Sequence, residues 1–384
     1  MSSGSFDDIR AYDDQDVEGV LSALLQDSEF IAFLSQQSYP KLSRFIPGWI
    51  RKKTHQSLEQ ALQDVKTVAQ WQDVLSPYVD KLLSSTIKSL NVSGLEHLPD
   101  GPCVFICNHR DIAMDPLLVN YALLKSGRAT SRVAIGDNLL SKPFVSKIMR
   151  LNKSFVVKRS VVARREKLAS IQTLSNYIHS CIKTGNSIWI AQKEGRAKDN
   201  LDYTDTAVLK MLHMAGRKLG WDFKQSMAFL NLVPVSLSYE WDPCDIDKAK
   251  ELQSISRHGQ YEKTKDEDFQ SIVKGLKGYK GRVSVHFGSV LNLDGSTAEV
   301  WSDAIDRVIH ENYELYGVNK FAQSQLNGTV SDDPDKKVEA IWQKRFGHLD
   351  ADIQQQILEN YARPYLQKNG DAINAKEENA HVVK

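Results

Sequence analysis

Six short runs rich in β-branched and aromatic residues lie between residues 103 and 287, and amphipathic stretches separate them. They are Cys103–Cys107, Arg132–Ile135, Ser154–Val157, Ser187–Ala191, Leu232–Tyr239 and Arg282–Phe287. Between them, Arg164–Lys183 reads as a helix that stops at Gly185. Strands alternating with helices restrict such a chain to an α/β layer fold. Most of the runs are apolar without interruption, as strands buried on both faces are. The expectation is a mixed, mostly buried sheet covered by helices. Arg282–Phe287 alternates instead, with Val283, Val285 and Phe287 on one face, and is expected at an edge.

Helical patterning flanks this middle. From Val17 to Leu90, residues such as Leu21, Leu24, Leu25, Leu58, Leu62, Val65 and Trp71 recur at three- and four-residue spacing. Pro40, Pro47 and Pro77 are expected to break the region into several helices. Ser296 and Glu299 have capping-box spacing, and Trp301, Ile305, Val308 and Ile309 follow on one face. The expected division is an acidic disordered tail (1–16), a helical N-terminal region (17–90), an α/β domain (91–316), and a linker with a helical C-terminal extension (317–384). The polar linker is placed at 317–335.

Charge is nearly balanced, with 49 Lys+Arg against 48 Asp+Glu and a net of +1 over 384 residues. That excludes a broadly basic nucleic-acid binder. The balance conceals two blocks. Residues 1–30 hold eight acids and one base, net −7, and residues 141–170 hold nine bases and one acid, net +8. The basic block suggests an anionic ligand. Its only aromatics are Phe144 and Phe155, too few for single-stranded nucleic acid. Four cysteines with no C-x-x-C and no zinc spacing read as reduced core thiols. Neither a signal peptide nor a spanning helix is visible, so a cytoplasmic location is expected.

The stretch from Cys103 to Pro116 carries the most chemistry. An apolar strand delivers Asn108 and His109 to its end, where α/β folds form their sites. Asp111 and Asp115 follow two and six residues after His109. One reading is a general base oriented by a carboxylate. The other is a His at a helix start with first-turn acids favoured by the dipole. Lys158 and Arg159 end a second strand, as phosphate ligands or as a solvated basic face. A third strand runs into Lys193, Glu194, Gly195 and Arg196, where Gly195 permits positive φ. In Leu232–Glu240, Pro234 argues for a strand start, bulge or edge, and a structural strand is the better reading.

The order of these motifs resembles the glycerolipid acyltransferase superfamily. The family shows an Asn-His-x-x-x-x-Asp motif, a strand ending in basic residues, a strand ending in Glu-Gly or Gly-Gly then Arg, and a Val-Pro strand. The nearest likeness is to the soluble, chloroplast-type glycerol-3-phosphate acyltransferase. The matching stretches are Asn108-His109 through Asp115-Pro116, Gly136-Asp137 through Lys142-Pro143-Phe144, and Ile188–Ala191 leading to Gly195-Arg196, within residues 90–290. Here five residues, not four, separate His109 from Asp115, so either Asp115 or Asp111 is the acidic partner. The resemblance implies an O-acyltransferase moving an acyl group from acyl-CoA or acyl-carrier protein to glycerol-3-phosphate. His109 would be the base, with Asp115 as its partner, Lys158, Arg159, Lys193 and Arg196 at the phosphate, and Asn108, Arg110, Asp111, Glu194 and Gly195 in support. No metal or cofactor is implied. Alternatives are a lysophosphatidate acyltransferase and a non-catalytic relative binding lipid or acyl carrier. Gly-x-Ser-x-Gly is absent, which disfavours an α/β hydrolase.

Residues 39–53 have two readings. Phe45, Ile46, Trp49 and Ile50 dip into an anionic membrane interface flanked by Lys41, Arg44, Arg51, Lys52 and Lys53, or they pack a turn between helices.

Overall fold

The computed structural model describes residues 6–140, 142–264, 266–295, 297–329 and 336–370. Five helices come first: α1 (Asp14–Leu25), α2 (Ser28–Ser38), α3 (Leu42–Phe45), α4 (Pro47–Leu62) and α5 (Val68–Thr86). Strands and helices then alternate as β1 (Ile87–Ser93), β2 (Val104–Cys107), α6 (Met114–Lys125), β3 (Arg132–Gly136), α7 (Pro143–Leu151), β4 (Ser154–Val157), α8 (Arg164–Lys183) and β5 (Ile188–Ala191). There follow α9 (Thr206–Lys218), α10 (Phe223–Leu230), β6 (Leu232–Tyr239), α11 (Asp245–His258), α12 (Glu267–Lys277) and β7 (Gly281–Phe287). The described chain closes with α13 (Ala298–Glu311), α14 (Gly317–Leu326), α15 (Lys336–Phe346) and α16 (Ala351–Lys368). The α/β class expected from the alternation is the observed one.

Packing groups the chain into two compact units. One takes residues 6–81 and 131–177, and the other takes 82–130 and the described residues from 178 onward. This grouping interleaves the segments that composition set apart at 90 and 316.

In the larger unit the strands run β1-β7-β6-β2-β5, all neighbours parallel except β6 and β7. β2 is buried throughout, flanked by β5 and β6. Two sequence expectations fail here. The helical reading up to Leu90 hid β1, because Ile87 and Leu90 stand three apart, and only pairing with β7 makes the segment a strand. β7 is therefore not an edge, because it lies between β1 and β6. Pro234 is tolerated inside β6 because the pairing with β7 begins only at Val235. Beyond it, the Pro234 carbonyl accepts from Gly288.

Part of the expected 317–335 linker is helix α14, and residues 330–335 lie outside the described residues. Tyr316, Val318, Trp342, Phe346, Ile357 and Tyr361 bury one aromatic-rich cluster that fixes α14, α15 and α16. Ser296 also lies outside the described residues, and Thr297 caps α13 by accepting from Val300 N.

In the smaller unit β3 and β4 pair in parallel. Residues 6–16 are not a solvated tail. Phe6 packs edge-on to Tyr177 at 5.3 Å, Ile9 O accepts from Val156 N of β4 at 2.8 Å, and Ala11 N donates to the Tyr177 hydroxyl. The apolar Phe6, Ile9 and Ala11 are buried, which compensates the ordering of an acidic segment. The opposed charge blocks meet in this unit: Lys158 pairs with Asp8, Lys142 pairs with Glu29, and Arg150 donates to the carbonyls of Arg10 and Asp7. Pro77 does not end α5. Both Pro77 and Asp73, whose carbonyl loses its helical partner, are exposed. Ile50 is fully buried and does not join the exposed side chains of 39–53.

Candidate active site

β2 ends at Cys107, and the chain turns through residues 108–113 into α6. Asn108 bridges the ends of two strands. Its amide donates to Leu237 O at 3.0 Å, and its carbonyl accepts from Leu237 N at 2.8 Å. The same amide nitrogen donates to Asp202 at 3.0 Å. Arg110 donates to Asp202 at 2.6 Å, and the Tyr313 hydroxyl also donates to that carboxylate oxygen. Burial disfavours the Arg110 charge, but Asp202 together with Tyr313, Asp115 and Asp199 outweighs it and the guanidinium stays cationic. Lys248 Nζ donates to Arg110 O at 2.7 Å and to Asp242 at 2.5 Å. The turn is thus held from three sides by groups more than 90 residues away.

That clamp presents His109. Its Nδ1 lies 2.8 Å from Asp115 Oδ2, and its ring stands edge-on to Trp189 at 5.5 Å. Asp115 is completely buried in the first turn of α6. Oδ2 also accepts the backbone N–H groups of Arg110 (2.6 Å) and Asp111 (2.9 Å), and Oδ1 accepts the Tyr239 hydroxyl (2.7 Å). Burial, and then Asp115, pushes Tyr239 well above its ordinary value, so it stays a donor. Since an ionised carboxylate only accepts, Nδ1 carries the imidazole proton and Nε2 keeps the lone pair. Asp111 does not reach His109. Its Oδ1 accepts from Ala113 and Met114, which caps the start of α6, and burial raises its pKa with Asp115 adding to the effect. The extra residue between His109 and Asp115 is absorbed in that capped turn.

β5 lies beside β2 in parallel, so the loop after β5 emerges next to this turn. Ala197 N donates to His109 O at 2.8 Å, which ties the Glu194-Gly195-Arg196 loop to the histidine backbone. Gly195 makes the bend with φ +77°, a region other residues rarely enter. Lys193 is already engaged: its Nζ donates to Leu201 O at 2.9 Å and lies 4.0 Å from the centre of the Tyr203 ring. Burial lowers its pKa. Glu194 is exposed, and Arg196 is partly buried.

Lys158 and Arg159 belong to the smaller unit, in the loop after β4. Asp137 shapes that loop by accepting from Arg159 N (3.1 Å) and Ser160 N (3.2 Å). Burial raises the Asp137 pKa, but bonds from Ser160 and Arg159 outweigh it and hold the carboxylate low. A side chain at Gly136 would collide with Asn138 and Arg159. Lys158 pairs with Asp8 in a solvent-facing contact.

Residues 89–238, which include His109, Asp115, Lys158, Arg159 and the Lys193–Arg196 loop, match the family model described as Acyltransferase. Over that stretch the chain is similar to acyltransferases. It is 24% identical over 221 residues to the glycerol-3-phosphate acyltransferase of Pseudomonas fluorescens (strain SBW25), a match covering 57% of this chain and 25% of that protein. The matched part therefore spans about a quarter of that relative's length. Among solved structures, the 1-acyl-sn-glycerophosphate (LPA) acyltransferase PlsC from Thermotoga maritima is similar at 14% identity and a TM-score of 0.38, covering 73% of this chain and 94% of that one.

Around this turn, His109 and Asp115 are legible in the sequence, but most of what holds them is not. For Tyr239 the sequence offers two readings, a residue lining a site and, as the better one, the end of a structural strand. Asp202, Lys248 and Tyr313 had no signal at all, since each stands in an ordinary polar or amphipathic setting.

Proposed function

We propose that this protein transfers a fatty acyl group from an acyl thioester to a hydroxyl of glycerol-3-phosphate. The observation that carries the reading is His109 with Nδ1 held by a buried, fully bonded Asp115. In the reaction, Nε2 takes the proton of the acceptor hydroxyl. The oxygen then attacks the thioester carbonyl carbon, the C–S bond breaks, and the leaving thiolate takes the proton from the imidazolium. Asp115 stabilises that imidazolium while it exists. Positioning hydroxyl and thioester together supplies much of the rate. The donor in this reading is acyl-CoA or acyl-carrier protein. The clamp through Asn108, Arg110 and Asp202 keeps the turn from shifting as charge moves.

Arg196, beside the histidine backbone, is the cation in the larger unit best suited to the acceptor phosphate, because Lys193 is committed to Leu201 O. Lys158 and Arg159 retain their expected part in phosphate binding. All four cysteines are free and buried, in keeping with a reducing, cytoplasmic setting.

A thiol-release assay tests the reaction. Acyl-CoA and acyl-carrier protein are offered as donors, and glycerol-3-phosphate and lysophosphatidate as acceptors. His109→Ala is expected to lower kcat by roughly 100- to 10,000-fold. Full activity in that variant sinks the mechanism, and preference for lysophosphatidate replaces the acceptor. Lys158→Ala with Arg159→Ala, and separately Arg196→Ala, should chiefly raise the acceptor KM. An unchanged KM removes the corresponding residue from the phosphate site.

A further inference from the structure

The smaller unit carries a surface that its own packing does not explain. Phe45 is 83% exposed, Trp49 59%, Leu42 48% and Ile46 45%. Leu42 and Phe45 lie on α3, Ile46 joins it to α4, and Trp49 lies in the first turn of α4, which Pro47 opens. The segment is not loose. Ile50 is fully buried directly behind Trp49, and one turn on, Thr54 accepts from the Ser35 hydroxyl of α2 at 3.1 Å. Burial underneath and exposure above fix the four apolar side chains outward.

Charge surrounds them. Lys41, Arg44, Arg51, Lys52 and Lys53 are all exposed, and no Asp or Glu occurs between Phe30 and Leu58. Lys53 Nζ lies 5.3 Å from the centre of the Trp49 ring, so cation and aromatic share one patch. We propose that residues 41–53 dock this protein on an anionic lipid surface, with Leu42, Phe45, Ile46 and Trp49 entering the interface and the five cations meeting headgroups. An aromatic and aliphatic tip rimmed by Lys and Arg has the chemistry of an interfacial anchor. A second copy of the chain is disfavoured, since a two-fold contact would set five cations against five. Among the described residues no helix is long and apolar enough to cross a membrane, so docking here is peripheral.

Vesicle flotation tests the surface. The probes are phosphatidylcholine vesicles with and without phosphatidylglycerol, at low and at high salt. The wild type should float with the anionic vesicles and be released by salt, which shortens the Debye length to about 3 Å at 1 M. Lys52→Glu with Lys53→Glu should weaken partitioning by ~25-fold or more, about fivefold per cation. Phe45→Glu with Trp49→Glu should abolish it. Each of these positions is exposed, and an unchanged melting curve verifies the fold. The native thiols are buried, so an environment-sensitive dye on Phe45→Cys reports this position, and its emission should shift to the blue on anionic vesicles. Background flotation of the wild type, as a protein partner would leave, overturns the proposal. So does equal flotation with both vesicle types, or undiminished flotation of the Phe45→Glu, Trp49→Glu variant.

Discussion

Asp115 receives four donors at 2.6–2.9 Å: the His109 ring, two backbone N–H groups and the Tyr239 hydroxyl. The backbone pair has a consequence for Asp115→Asn. Those N–H groups need an acceptor, so the amide oxygen must take the Oδ2 place and the histidine tautomer survives. What is lost is the negative charge behind the imidazolium. The expected fall in kcat is therefore about 10- to 150-fold, the equivalent of roughly 1.5–3 kcal/mol for a charge-assisted bond. Single-turnover rates check it, and a loss above about 10,000-fold would mean that the tautomer had switched after all. Tyr239→Phe leaves Oδ1 of a buried carboxylate without its donor. It should lower stability by about 1–3 kcal/mol in urea denaturation. His109 and Asp115 were legible because one strand-turn-helix segment holds both. Tyr239 and Asp202 were not, because they reach the site from β6 and from the loop after β5.

At the scale of elements, a buried lysine follows the end of α12. Lys280 Nζ donates to Gly278 O at 2.7 Å and Leu276 O at 3.3 Å, which satisfies carbonyls at the helix C-terminus. The side chain is fully buried, and burial lowers its pKa from 10.5 to about 8. Between those values the unfolded chain binds the extra proton, so stability rises with pH across that window. Below about 8 both states are charged and the whole cost of burial is present. Relative to Lys280→Met, the wild type should gain up to ~3 kcal/mol between pH 7.5 and 10.5. Paired urea titrations of the two proteins isolate this group from other titrations, and a flat difference refutes it. Six of the seven described strands are readable in the sequence, but strand neighbours are not. β1 escaped notice, and β7 was expected at the edge that β1 takes, because alternation reports a face and not a partner.

For the molecule as a whole, the near-zero net charge describes two blocks that meet within the smaller unit. Their ion pairs are solvent-facing, so Asp8→Ala should change stability by less than about 1 kcal/mol. The apolar side chains beside them matter more. Phe6→Ala removes a buried ring from Tyr177 and should cost up to about 3–5 kcal/mol in thermal or chemical unfolding. A solvated tail would show almost no change there.

The α/β class, the six recognised strands and the pairing of His109 with an acid in the same turn followed from the sequence alone. Each depends on periodicity or spacing within a few residues, where backbone geometry permits few outcomes. Tertiary structure decided the antiparallel place of β7, the choice of Asp115 over Asp111, the donor from Tyr239 and the acceptor from Asp202, and the ordering of residues 6–12 along β4. Those depend on which distant segments become neighbours. Hydrophobic patterning leaves that degenerate, because an apolar strand face is equally satisfied by any apolar partner until the whole chain packs.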